Sequence, residues 1–218
     1  MKLASLLIAS LAVVQALALT DAARADSWQI ASPGINGSDY SLVATLGSPA
    51  TAAYVSSKRP VHATHYKASL WIDPTGIAMP EEGTAIRFMN LVDDSEGGAD
   101  PYGGVISVGF LRLRSSDHAW HVRFNNLEDS GSYKSAGDLS LGPAASFPME
   151  IEIEFWTGGV GTRTFCVRKT AVPGSELCTT ALDMENADVD EMRIGLFGNG
   201  NPAGWTGSYS FDEVETSW

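Results

Sequence analysis

Positive charge is scarce in this sequence, and the scarcity restricts the classes of partner. The 218 residues include 14 lysines and arginines against 26 aspartates and glutamates, which gives a formal net charge of −12 at pH 7. A chain with this balance repels polyanions as a whole, so nucleic acids and anionic lipid surfaces are poor partners. Neutral glycans and cations remain compatible with it. We therefore expect no nucleic acid partner.

Long apolar runs are absent except at the amino terminus. Lys2 precedes an almost unbroken apolar stretch, Leu3–Leu19, and Ala23-Arg24-Ala25 has the small residues of a cleavage site. This arrangement predicts a secretory signal peptide over residues 1–25, with cleavage after Ala18 as the alternative. A membrane anchor is the other interpretation, but the run is short for a bilayer span. We expect an exported protein, periplasmic or extracellular, with a single mature domain over 26–218 and no membrane span after cleavage.

Cysteine is nearly absent, since Cys166 and Cys178 are the two that occur. They flank a segment whose centre, Ala171-Val172-Pro173-Gly174-Ser175, has the composition of a turn. Folding the chain about Val172 places the cysteines opposite each other, so we predict a disulfide across a hairpin in an oxidising compartment. Two free thiols or a metal pair are the alternatives. The spacing fits no zinc pattern and no histidine lies nearby in sequence, which counts against the metal.

A helical period of 3.6 residues is also missing from the mature chain. Apolar and polar residues instead alternate in short segments, and clusters of glycine, proline and asparagine separate them. Many short strands with frequent turns are typical of one antiparallel sandwich or barrel domain. The predicted strands are Ser41–Leu46, Ala52–Ser56, Thr64–Ile72, Thr84–Leu91, Gly104–Arg114, Trp120–Asn125, Phe147–Trp156, Arg163–Lys169, Leu177–Leu182, Met192–Phe197 and Tyr209–Glu215.

The last two of these segments resemble a known fold family. Met192–Phe197, a glycine-rich stretch, and Tyr209-Ser210-Phe211-Asp212-Glu213-Val214-Glu215 look like the closing strands of concanavalin A-like jelly rolls. More narrowly, they are similar to laminin-G-like modules of exported bacterial proteins, and Tyr66–Pro74 fits the opening of such modules. The resemblance implies an all-β fold, a two-sheet antiparallel jelly-roll sandwich. It implies no particular activity, because this fold carries lectins, glycanases, adhesion modules and spacers.

One segment, Glu150-Ile151-Glu152-Ile153-Glu154-Phe155, alternates strictly and predicts a strand with three carboxylates on one face. It resembles the catalytic strand of laminarinase- and lichenase-type endoglucanases. That resemblance implies a retaining β-glucan endohydrolase with Glu150 as nucleophile and Glu154 as acid/base, while Glu152 stands where the family has Asp. The other interpretation is a solvated face that pairs with basic side chains of neighbouring strands. The candidate partners are Arg112, Arg114, Arg123 and Arg168.

An acidic, glycine-rich loop, residues 93–100, offers oxygen ligands. Hard cations such as calcium take six to eight oxygens, which flexible loops supply well. The candidate calcium ligands are Asp93, Asp94, Glu96 and Asp100. Simple hydration of the loop is the alternative, and we expect no other cofactor.

Tryptophan provides the remaining candidate binding residues, because an indole ring stacks on a sugar ring and its N–H suits a half-exposed site. Trp205 lies in a loop of glycine, asparagine and proline, and Trp156 ends the glutamate strand. We predict an exported, non-catalytic binding or surface module with a carbohydrate ligand, so a glycan or cell-surface polymer is the expected partner. The alternatives are the β-glucan endohydrolase and a structural or adhesion module with a protein partner.

Overall fold

The computed structural model describes residues 27–46, 53–58, 65–78, 85–92, 104–112, 119–127, 133–157, 163–180, 190–197 and 206–217. In these ranges the regular structure is β-strand, apart from one short 3-10 helix, Ala144–Ser146. The strands are β1 Ser27–Ala31, β2 Ser41–Leu46, β3 Ala53–Lys58, β4 His65–Asp73, β5 Ile77–Ala78, β6 Ala85–Val92, β7 Gly104–Arg112, β8 Trp120–Leu127, β9 Tyr133–Gly142, β10 Met149–Thr157, β11 Arg163–Lys169, β12 Leu177–Thr180, β13 Glu191–Leu196 and β14 Thr206–Ser217.

Two antiparallel sheets pack face to face. Sheet A has the strand order β1-β2-β14-β4-β10-β11-β12, with β5 paired to β14, and sheet B has the order β3-β13-β6-β7-β8-β9. Strands that are distant in sequence are therefore neighbours in space, as in the pairing of β13 with β3 and β6. This all-β jelly-roll sandwich confirms the predicted fold class. None of the described residues belongs to a helix that is long and apolar enough to cross a bilayer.

A layer of aromatic rings joins the two sheets. Phe88 and Phe110 of sheet B stack with ring centroids 4.1 Å apart, and Phe211 of sheet A lies 5.6 Å from Phe88. Tyr209, also from sheet A, meets Phe110 edge-on at 5.5 Å, and its hydroxyl donates a 2.9 Å hydrogen bond to the Gly195 carbonyl of sheet B. All of these side chains are buried, so they contribute both apolar burial and specific ring contacts.

The glutamate strand has the orientation that its alternation predicts. Ile151, Ile153 and Phe155 are fully buried in the core between the sheets. The carboxylates of β10 consequently lie on the outward face of sheet A, beside β4 on one side and β11 on the other. In an antiparallel sandwich with one face buried, a two-residue period allows no other arrangement.

Strand β6 departs from this simple period. Its pairing with β7 shifts between Arg87 and Met89, so the strand carries a β-bulge at Phe88. Phe88 and Met89 both join the core, and Asn90 turns to the outward face of sheet B. A bulge inserts one extra residue and re-aims the side chains that follow it.

The sequence did not predict three of the strands, β1, β5 and β9. Strand β9 contains mainly small and polar residues, and Gly137 within it has φ of +151°, so its apolar period is weak. It is an edge strand of sheet B and pairs with one strand of that sheet, β8. The pattern that identifies buried strands is therefore weakest for such a segment.

The predicted disulfide between Cys166 and Cys178 is confirmed. The two residues face each other in the register of β11 and β12, with their Cα atoms 4.1 Å apart. The turn between these strands is held by Ser175, whose hydroxyl bonds to the backbone of Lys169. Disulfides are typical of oxidising compartments, so this one is compatible with export. The predicted signal peptide lies outside the described residues and stays a prediction.

We expect the double variant Cys166→Ser/Cys178→Ser to fold with reduced stability. Closing this short loop is worth about 2–3 kcal/mol in the loop-entropy estimate. For a domain of this size that corresponds to a fall in melting temperature of roughly 5–10 °C. Calorimetry of the variant beside the oxidised wild type measures the difference. An unchanged melting temperature would show that the hairpin is already ordered in the unfolded ensemble or held by other contacts.

Candidate functional site: the outward face of sheet B

Four polar side chains form a row across the outward face of sheet B. Arg193 of β13 pairs with Asn90 of β6, Asn90 with Ser107 of β7, and Ser107 with Asn125 of β8. Neighbouring strands are about 4.8 Å apart, so the row is roughly 14 Å long at Cα. We call these four residues the polar row. Arg193, Asn90 and Ser107 face away from the core because the residues on either side of each are turned inward, and Asn125 lies opposite Ser107 on the same face.

Two members of the polar row are buried without satisfied polar groups. Asn90 and Ser107 are fully buried, yet neither the amide of Asn90 nor the hydroxyl of Ser107 has a hydrogen-bond partner within the described part of the chain. An orphaned buried polar group costs about 1–3 kcal/mol, and most buried polar groups in native proteins have a partner. Two unsatisfied polar side chains on adjacent strands are therefore unfavourable in the free protein. They are well suited to donate hydrogen bonds to a ligand and to accept hydrogen bonds from it.

Charged side chains flank the row, and here basic groups outnumber acidic ones. Arg123 forms a bidentate pair with Asp138, at 2.7 and 2.9 Å. The guanidinium of Arg193 lies 2.8 Å from Glu191 on the same strand. This reverses the balance of the whole chain, in which acidic residues prevail. The outward basic residues of the described strands of sheet B are Lys58, Arg87, Arg123 and Arg193, and the acidic ones are Asp138 and Glu191.

Glu191 holds Arg193 in place at one end of the row. Burial would raise the pKa of this carboxyl, but hydrogen bonds from Arg193 and Ser56 outweigh burial and leave the pKa below its ordinary value. Glu191 is therefore ionised throughout the neutral range, and the guanidinium beside it keeps a fixed position. The arginine side chain remains 15% exposed, so it can still meet a ligand.

An exposed aromatic ring and a closely packed glycine complete the face. Tyr54 of β3 is 39% exposed, and the guanidinium of Arg193 lies 5.0 Å from the centre of its ring. Phe197 stacks beneath Tyr54 at 5.8 Å, so the exposed ring is supported. Between Arg87 and Arg123 stands Gly109, where a Cβ atom would come within 2.7 Å of the Ile86 carbonyl oxygen. Strands β6 and β7 therefore approach too closely at this point for any side chain, and glycine is required there.

The outward face of sheet A carries the predicted carboxylates, and each of them has a polar partner on a neighbouring strand. Glu152 is buried and forms ion pairs with Lys67 and Arg168. Ser69 donates a 2.7 Å hydrogen bond to Glu150, and Lys67 lies 3.8 Å from Glu154. This is the pairing across strands that the non-catalytic interpretation predicts, with Arg168 as one of its expected partners. Arg123 pairs with Asp138 on the other sheet instead, Arg114 lies outside the described residues, and the side chain of Arg112 is not described.

Of the other predicted site residues, Trp156 lies on the outward face of sheet A. Its ring stacks on His65 at 5.0 Å, with an angle of 10° between the planes, so one ring face is already covered. Trp205 and the candidate calcium ligands Asp93, Asp94, Glu96 and Asp100 lie outside the described residues. Their roles stay predictions, as does β-glucan hydrolysis by Glu150 and Glu154.

One group of potential metal ligands comes together in the described ranges: Cys166, Glu176 and Cys178. Both sulfur atoms belong to the disulfide, which removes them as ligands because metals bind the thiolate form.

The polar row itself was not predicted from sequence. Asn90 and Ser107 are ordinary residues in apolar strands, and their partnership depends on the pairing of β6 with β7 and on the bulge at Phe88. One feature of the sequence pointed to it: Asn90 lies among the apolar residues of β6, where burying a polar side chain is costly unless it forms hydrogen bonds.

Comparisons with solved structures show the same sandwich in proteins of very different sequence. An endo-β-1,4-glucuronan lyase from the fungus Trichoderma reesei superposes with a TM-score of 0.59 at 9% identity, covering 88% of this chain and 87% of that one. The cellulose-induced protein Cip1 gives 0.56 at 10% identity, over 90% and 88%. The alginate lyase vAL-1 from a Chlorella virus gives 0.50 at 9% identity, over 88% and 90%.

No protein-family model matches the chain, and no curated protein matches it. At such low identities the structural similarity shows the fold alone. The jelly-roll sandwich implied by the concanavalin A-like resemblance is therefore confirmed as a fold, and its laminin-G-like refinement stays a prediction. The chain shares an architecture with polysaccharide lyases, and its own residues have to supply any argument for a function.

We expect Glu191→Gln to destabilise the protein at neutral pH and to lose this effect in acid. Because the folded-state pKa of Glu191 is lowered, its stabilising contribution is present above the ordinary glutamate pKa, about 4.3, and disappears as pH falls through the lower folded value. Urea unfolding of wild type and variant at pH 7 and pH 3 measures the two differences. A destabilisation of equal size at both pH values would show that the variant acts through packing.

Proposed function

We propose that the protein binds a polysaccharide along the polar row of sheet B. The observation that carries this proposal is that Asn90 and Ser107 are buried and have no hydrogen-bond partner for their side chains among the described residues. An amide and a hydroxyl both donate and accept hydrogen bonds, which matches the hydroxyl groups of a sugar. The row crosses four strands, and Tyr54 offers a ring for stacking beside it. Surface of this length suits several rings of a chain rather than one small molecule.

The charges of the face favour an acidic polysaccharide. Arg87, Arg123 and Arg193 can pair with the carboxylates of uronate units, since guanidinium groups bind carboxylates in a bidentate geometry. Asp138 and Glu191 orient Arg123 and Arg193, whose side chains remain 26% and 15% exposed. The structures with the same fold include proteins named as lyases of glucuronan and alginate, and that supports testing uronate polymers first.

Asn90 and Ser107 are covered in the free protein, so binding has to uncover them. The accessible members of the face are Arg193 and Arg123, with side chains 15% and 26% exposed. We propose that a ligand engages these guanidinium groups first.

Binding is the activity that the polar row supports directly. Elimination from a uronate also requires a proton acceptor within hydrogen-bond reach of the sugar whose carboxylate is neutralised. His121 lies on the same outward face as Arg123 and two residues before it on β8, which is roughly 7 Å at Cα. Cleavage of a uronate polymer is therefore the second candidate function. The absorbance of an unsaturated uronate product, followed during incubation with polyuronate, tests this point directly.

We expect Asn90→Leu to stabilise the free protein and to weaken polysaccharide binding. Leucine has a similar volume and no polar groups, so it removes an unsatisfied amide at a gain of about 1–2 kcal/mol in the free energy of unfolding. Binding of polyglucuronate and of alginate, followed by isothermal titration calorimetry, should weaken by about tenfold or more. A purely structural role for Asn90 predicts loss of stability together with loss of binding.

Two charge variants test which face of the sandwich binds the polymer. Arg87→Gln on sheet B should weaken binding, and Lys67→Gln on the outward face of sheet A removes the same charge without weakening it. Binding to the wild type should also weaken with added salt, because exposed ion pairs are screened. Equal losses in both variants would mean that the polymer responds to net charge alone. The absence of binding to any polyuronate, or unchanged binding in Asn90→Leu, would contradict the proposal.

A further inference from the structure

A cavity lies at one end of sheet A, on the side of the molecule opposite to the polar row. It has a volume of about 460 Å³ and opens between the start of β10 and the turn that follows β11. Its size and its mixed lining are those of a site for a small molecule. The lining residues are Trp71, Leu141, Ser146, Pro148, Met149, Glu150, Lys169, Thr170, Ala171 and Val172.

Two charged groups of this cavity have unused bonding capacity. Ser69 donates to Oε1 of Glu150, and within the described residues this is the one hydrogen bond that the carboxylate makes. Lys169 forms no ion pair with the described side chains, and Thr170, its neighbour, bonds to the Glu150 carbonyl through its backbone N–H. In the register of β10 and β11, Lys169 lies opposite Ile151 on the inward side of sheet A, whereas Glu150 belongs to the outward side. Both residues line the cavity where it opens at the ends of these strands, and they do not pair with each other.

Trp71 forms a flat wall beside the carboxylate. In the register of sheet A it stands between Asp212 of β14 and Glu150 of β10. Asp212 is fully engaged, since it accepts hydrogen bonds from the backbone of Ile35 and Glu213 and from the hydroxyl of Ser38. Glu150 is therefore the carboxylate that remains available beside the indole ring.

The combination of groups selects the chemistry of the ligand. A cation would be repelled by Lys169 and an anion by Glu150, so neither charge is favoured. A neutral ring with several hydroxyl groups satisfies both, because its hydroxyls donate to the carboxylate and accept from the ammonium. Such a ring also has apolar C–H faces that stack on tryptophan and contact Met149 and Val172.

We propose that this cavity is a separate binding site for one neutral pyranose unit, stacked on Trp71 and held by Glu150 and Lys169. The site lies on sheet A, whereas the polysaccharide proposed above binds sheet B. It does not depend on that first proposal. If both hold, the molecule has two carbohydrate sites on opposite faces and can connect two glycan chains.

Binding of neutral monosaccharides tests the site. The probes are the methyl glycosides of glucose, galactose, mannose and N-acetylglucosamine, each titrated into the full mature chain and followed by ligand-observed NMR. We expect at least one to bind at millimolar concentration. Glu150→Gln should weaken that binding about tenfold, because it removes a charge-assisted acceptor and preserves the shape of the side chain. Trp71→Leu should abolish the binding.

The control is Glu215→Gln, an exposed carboxylate on the same face, two strands from β10 and outside the cavity. It should leave binding unchanged, as should Asn90→Leu, which tests the other sheet. Loss in Asn90→Leu with no change in Glu150→Gln would assign the monosaccharide to sheet B and overturn the inference. Failure of all four glycosides to bind would overturn it as well, and would leave polyuronate binding to sheet B unaffected.

Discussion

The aromatic layer between the sheets determines which side chains of this protein point inward. Phe88, Phe110 and Phe211 come from both sheets and meet in one buried cluster. Because strand side chains alternate, fixing these rings inward fixes the orientation of every residue beside them. The carboxylates of β10 and the polar row of sheet B are outward for this reason. The core therefore determines which side chains are available for chemistry.

The two outward faces differ in how their polar side chains are paired. On sheet A, carboxylates and basic groups on adjacent strands neutralise each other, and Glu152 lies at the centre with Lys67 and Arg168. On sheet B, the buried side chains of Asn90 and Ser107 have no hydrogen-bond partner in the part of the chain that the structure describes. Replacing these two residues with apolar ones would stabilise the free protein, so stability alone does not explain their presence. Sites that bind ligands commonly retain such groups, because a ligand supplies the bonds that the free protein lacks.

Sequence patterns were sufficient for the fold and for one of the two faces. Strands β2 and β11 agree with their predicted bounds, the alternation of β10 gave its orientation, and the turn between the cysteines gave the disulfide. The polar row could not be found in this way, because it exists only when four strands distant in sequence take a particular register. The overall charge was also misleading. The chain as a whole is acidic, but three arginines, Arg87, Arg123 and Arg193, lie on the outward face of sheet B.

The bulge at Phe88 has a consequence for the core as well as for the surface. With strict alternation from Ile86 and Phe88, the next inward position would fall on Asn90, and Met89 would face outward. The extra residue lets Phe88 and Met89 both point inward and leaves Asn90 opposite Ser107. Deleting Phe88 would restore a regular strand with Asn90 unmoved, but it would remove the ring that stacks on Phe110. The irregularity thus adds a second large inward side chain to β6 without any change in the polar row.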